Sequence, residues 1–147
     1  MNKSNILRLG LALAGTTLVL AAPAKAATTQ PFHATFVEVG GGTETGSCGS
    51  ATISRLGHVA YQCVVFNGCG DNCGLRTITF DDGTLVIQES IVGVIQHGKS
   101  AGMLEIALTI DGASSTGRYA GATGSGTGVV ILAPYGVVVA SGTITLL

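Results

Sequence analysis

Beyond residue 27, apolar and polar residues alternate with a period of two along most of the chain, and the i, i+3, i+4, i+7 spacing of an amphipathic helix is not sustained anywhere. Period two marks strands that turn one face toward a core. In the first strand, Phe32, Ala34 and Phe36 alternate with His33, Thr35 and Val37, and the strand ends at Gly40-Gly41-Gly42. A second runs from about Ser50 to Arg55. Leu56-Gly57-His58 turns it into a third, His58 to Phe66, in which Val59, Tyr61, Cys63 and Val65 share a face. After an Asn67 to Gly74 loop, a fourth strand spans Leu75 to Phe80. Asp81-Asp82-Gly83 then gives the clearest hairpin signal, since Asp and Gly tolerate the backbone such turns need.

The fifth strand runs from Thr84 to about Ile95 and leads into a loop at His97-Gly98-Lys99-Ser100. Leu104, Ile106, Leu108 and Ile110 line one face of the sixth, Met103 to Ile110. A glycine-rich stretch from Gly112 to Gly128 feeds a seventh strand ending near Ala133, and Pro134-Tyr135-Gly136 turns into an eighth, Val137 to Leu147. Eight short strands at this spacing give an all-β domain, an eight-stranded antiparallel closed barrel or, as the alternative, a β-sandwich. Closure is favoured, because the last strand is too apolar to make a safe open edge.

Glycine density supports the same class. After Gly10 and Gly15, 21 glycines remain in the last 121 residues, more than twice the average of about 7%. Their concentration at 117, 121, 124, 126 and 128 is read as a sharply bent strand forming a tight corner of the sheet. The run Gly117-Arg118-Tyr119-Ala120-Gly121-Ala122-Thr123-Gly124 resembles a Gly-Arg-aromatic-Ala-Gly-Ala-x-Gly signature of small exported bacterial proteins similar to the allene oxide cyclase and dirigent barrel group. The resemblance implies a calycin-like eight-stranded barrel that imposes a conformation on a reactive hydrophobic ligand. It covers a structural corner, so it assigns no catalytic residue. Tyr119 is expected to pack under that corner, and Arg118 to reach outward or pair with a carboxylate.

Residues 1–26 have the form of a secretory signal, with Lys3 and Arg8 before an apolar run from Leu9 to Ala22 and an A-x-A site at Ala24-Lys25-Ala26. One domain, 27–147, follows. The apolar run is short for a membrane span, which takes about 20 residues. Export would place the protein in the periplasm or outside the cell. Loss of Lys3, Arg8 and Lys25 leaves Arg55, Arg76, Lys99 and Arg118 against eight acidic residues, a net charge near −4. Such a chain has no electrostatic footprint for nucleic acid. A barrel embedded in a membrane would need aromatic girdles, and the seven aromatic residues are scattered.

Cys48, Cys63, Cys69 and Cys73 all lie in the exported part, where disulfides are the default. Of three possible pairings, Cys48 with Cys63 across a hairpin and Cys69 with Cys73 around a short loop suit the strand reading best. The spacing lacks the paired C-x-x-C of zinc ribbons, and His33, His58 and His97 fall on separate elements, so neither a metal nor any other cofactor is expected. Gly124-Ser125-Gly126 is not a nucleophile elbow, and the glycines precede a strand rather than the helix that a nucleotide loop requires.

The remaining chemistry lies in polar residues whose parity puts them on apolar faces. Glu38 goes with Phe32, Ala34 and Phe36, Glu89 with Leu85, Ile87 and Ile91, Arg76 with Ile78 and Phe80, and Tyr61 with Val59 and Val65. If these faces point inward, the four residues line a cavity or its mouths, with Arg76 the natural partner of a buried carboxylate. Three functions follow: a non-catalytic binding or surface-associated module for a small hydrophobic ligand, a cyclase- or isomerase-like barrel using Glu38 or Glu89, or a surface-fibre subunit. An interior filled by side chains favours the first, and a hollow of about 300 Å³ or more favours the second. Oligomeric state is left open.

Overall fold

The computed structural model describes residues 26–39, 45–97, 101–132 and 136–147. Most of the expected signal segment, the expected strand end at Gly40-Gly41-Gly42, residues 98–100 of the loop after His97, and Ala133-Pro134-Tyr135 lie outside them. Eight strands are present: β1 Thr28–Glu38, β2 Gly46–Ile53, β3 Val59–Val65, β4 Cys73–Phe80, β5 Gly83–His97, β6 Ala101–Ile110, β7 Thr123–Ile131 and β8 Gly136–Leu146. Each pairs antiparallel with the next, and β8 pairs with β1 from Thr28↔Leu146 to Glu38↔Gly136. The sheet is a closed barrel. Closure gives every strand two neighbours, so the apolar β8 presents no edge.

Alternation decides what faces inward. Phe32, Ala34 and Phe36 of β1, Ile78 and Phe80 of β4, Leu85 and Ile87 of β5, Ile106, Leu108 and Ile110 of β6, and Val138, Ala140 and Ile144 of β8 form the buried core. β7 contributes its small residues instead. Gly126 stands opposite Gly142, and Gly128 opposite Ala140. Phe32, the β1 partner of Gly142, takes the space beside that glycine, where a methyl would come within 3.0 Å of its ring. Small residues on one wall thus accommodate large ones from another, as interior packing of an eight-stranded barrel requires.

Of the stretch read as a bent strand, Gly124, Gly126 and Gly128 do lie in β7, but the part around Gly117 and Gly121 is a loop. Between β6 and β7 the chain makes turns at residues 112–114 and a single 3₁₀ turn, Gly117–Tyr119, before β7 begins at Thr123. Glycine density does not separate a kinked strand from a tight loop, since both need the same freedom. The loop completes the start of β5, where β6 has not yet begun to pair. Asp111 N donates to the Val86 carbonyl, Val86 N to Ser115 Oγ, Thr116 N to the Thr84 carbonyl and Arg118 N to the Asp82 carbonyl. The backbones touch here: a side chain at Gly117, where φ is 59°, would overlap the Asp82 carbonyl, and one at Gly83 the Thr116 carbonyl.

Tyr119 is the plug that this loop inserts. It is fully buried, its ring lies 4.6 Å from that of Phe80, and its hydroxyl donates to the Leu56 carbonyl at 2.5 Å. Burial pushes its pKa up to about 12. Asp111, whose carboxylate accepts from the Ser114 hydroxyl and amide, is held below the usual carboxylate range by those bonds. Arg118 stays outside, with Nη1 3.6 Å from Asp82 Oδ2. Two disulfides, Cys48–Cys63 and Cys69–Cys73, complete the framework. Among the described residues no helix is long and apolar enough to cross a membrane.

Candidate functional site

The end of the barrel opposite Tyr119 carries the polar cluster. Arg76, on β4, is 1% exposed and points into the interior at the level where β1, β3 and β5 also turn polar residues inward. Its Nε donates to Glu89 Oε1 at 2.5 Å and its Nη2 to Glu89 Oε2 at 3.0 Å, the two-point fork that guanidinium and carboxylate make best. Nη2 also donates to Glu38 Oε1 at 2.8 Å, and Nη1 to Gln62 Oε1. The guanidinium carbon lies 4.4 Å from the Phe36 ring centroid, within cation–π range. Burial acts to lower the guanidinium pKa, but the hydrogen bonds and charges of Glu89, then Glu38, outweigh it and hold it above its ordinary value.

Glu38, Arg76 and Glu89 are therefore brought together, each on the face that its parity gave it. Tyr61 is not. It is 54% exposed on the outer wall, because the β3–β4 register shifts between Val59 and Tyr61. The irregularity reverses the parity: Val59 packs against the core, whereas beyond it Gln62 and Val64 point inward and Tyr61 and Val65 point out. Gln62 takes the inward place that Tyr61 was expected to fill. The disulfide held the missing signal. Cys48 lies outward on β2, since Ile53 is inward there, and its directly paired partner Cys63 must also face outward, which turns Gln62 in.

Above the cluster is a pocket of about 140 Å³. Glu38, Arg76 and Glu89 form its polar side, and Val64, Phe66, Ile91, Leu104, Ile106, Val130, Leu132 and Val138 form apolar walls. Toward Tyr119 the described interior is occupied by the core given above. Broader depressions lie on the outside of the barrel, one along Val92, Glu105, Thr127, Val129 and Val139, another along His33, Thr35, Thr52 and Ser54. They are shallow furrows between outward side chains and lack a buried charged group, so the mouth is the better candidate despite its smaller volume.

Acceptors predominate in the chemistry available at the mouth. Four of the five guanidinium N–H donors are directed at Glu89, Glu38 and Gln62, whereas a carboxylate offers about four lone-pair sites and Arg76 occupies one of those on Glu38. Gln62 Nε2 is buried and has no hydrogen-bond partner among the described residues. No group of three or more His, Cys, Asp or Glu stands together as a metal site among the described residues. Comparison of the chain with protein-family models, with curated proteins and with solved structures returns no match.

Proposed function

We propose that this chain is an exported, non-catalytic β-barrel that holds one small, largely apolar ligand at the mouth beside Arg76. The observation that carries this reading is the division of the described interior: a side-chain core packs the barrel from Tyr119 upward, and beyond it lies a pocket of about 140 Å³ with a charged side and apolar walls. A cavity of about 150 Å³ lined by apolar side chains accommodates benzene, so the volume suits a body of that size. Export is supported by the signal-like residues 1–26 and by two disulfides, which persist in oxidising compartments.

The resemblance to the allene oxide cyclase and dirigent group at Gly117 to Gly124 agrees with a ligand-holding barrel. Steering a long fatty-acid-like substrate would need a hollow of about 300 Å³ or more, over twice the pocket at the mouth. A fibre subunit would need a strand left without a partner, and here β1 and β8 close on each other.

Native mass spectrometry of the protein purified from its own exported fraction tests the proposal. A small molecule bound one to one, and lost when Val130→Trp fills the pocket, is the expected result. A bare chain that also fails to take up small apolar probes overturns it.

A further inference from the structure

We infer that the mouth pocket selects a ligand carrying a primary amine or other cationic head on a small apolar body, with Glu38 as the group that receives it. The inference rests on the pocket reading above and adds the charge of its occupant. One guanidinium faces two carboxylates, so the cluster carries one formal negative charge in excess. The positive partner is also the inaccessible one. Arg76 is 1% exposed and four of its five N–H donors are turned to Glu89, Glu38 and Gln62, so its charge is largely committed before any ligand enters.

Glu38 is the more accessible carboxylate, with its side chain 12% exposed against 7% for Glu89. Its Oε1 accepts from Arg76, and its Oε2 lies at the wall beside Gly136, where a side chain's first carbon would stand 2.9 Å away. Glycine at 136 therefore keeps that oxygen clear on its strand-partner side. An ammonium head has three donors and no acceptor, which matches a carboxylate with lone pairs to spare. The walls formed by Val64, Ile106, Val130 and Val138 would cover the apolar body. Beside apolar walls the excess negative charge discriminates by sign more strongly than it would in bulk water, because the effective dielectric is lower there.

Three probes of one shape isolate the charge: benzylamine, benzyl alcohol and benzoate, titrated at neutral pH into the oxidised protein while the methyl resonances of Val64, Ile106 and Val130 are followed by NMR. Benzylamine is expected to bind at least about tenfold tighter than benzyl alcohol, with benzoate weakest, and Glu38→Gln is expected to bring the benzylamine to benzyl alcohol ratio close to one. The wild-type ranking is decisive even if the variant folds poorly. Benzoate binding as tightly as benzylamine, or equal affinity for all three, overturns the inference and leaves the pocket reading standing. Failure of all three to shift those methyls overturns the pocket reading itself.

Discussion

Replacing Arg76 with methionine removes the charge that holds the mouth together while keeping much of the apolar stem. Arg76 is 1% exposed, and its loss leaves Glu89, itself 6% exposed, without its two-point partner and takes one donor each from Glu38 and Gln62. Removing one member of a buried ion pair costs about 3–5 kcal/mol, because the remaining charge stays desolvated with nothing to offset it. Arg76→Met is therefore expected to lower the unfolding free energy by about 3–5 kcal/mol. Glu89→Gln keeps a neutral acceptor opposite the guanidinium and should cost about 1–3 kcal/mol. In the double variant the neutral amide no longer requires a cation, so the combined loss should fall short of the sum by about 1–3 kcal/mol. Urea denaturation followed by far-ultraviolet circular dichroism, with both disulfides intact, measures all four proteins. A cost for Arg76→Met below about 1 kcal/mol, the range of exposed pairs, or additivity within about 0.5 kcal/mol, would refute the reasoning.

Three further expectations follow from the framework. Tyr119, raised from 10.0 to about 12, favours its neutral form in the folded barrel; that contribution is present below pH 10 and is lost as pH rises through 12. At about 1.36 kcal/mol per unit the loss is about 2–3 kcal/mol, and Tyr119→Phe should flatten stability against pH in that window. Cys48–Cys63 closes a separation of 15 and Cys69–Cys73 one of 4; replacing each pair with serine should cost about 3 and about 1.9 kcal/mol on the chain-entropy model, and a larger effect from the shorter loop in urea melts would contradict it. Gly117→Ala meets the Asp82 carbonyl at positive φ, so it should lower stability by more than the roughly 1 kcal/mol of an unhindered left-handed position; a neutral thermal melt would show that the loop yields.

Much of this barrel was legible because its physics is local. Strand parity put Phe32, Phe36, Leu85, Ile106 and Ile110 on faces that the fold buries, and Asp82-Gly83 marked the β4–β5 hairpin. The same parity brought Glu38, Arg76 and Glu89 to one interior. It failed for Tyr61, since a single irregularity between Val59 and Tyr61 reverses the inward set and alternation carries no mark of it. Gln62 went unnoticed because a neutral amide in a strand has no charge to draw attention, although the outward Cys48–Cys63 pair fixed its direction. The loop around Tyr119 was mistaken for a strand because glycines serve bulges and loops alike. Its distinguishing feature, hydrogen bonds from residues 111–118 to the first residues of β5, is a tertiary one.

The central claim is that the pocket beside Arg76 takes a small apolar body. Titrating benzene into protein labelled at isoleucine, leucine and valine methyls tests it most directly. Saturable shifts confined to Val64, Leu104, Ile106, Val130 and Val138, the pocket walls, are the predicted result. No saturable shift, or shifts centred on Val92, Val129 and Val139 of the outer wall, would contradict it.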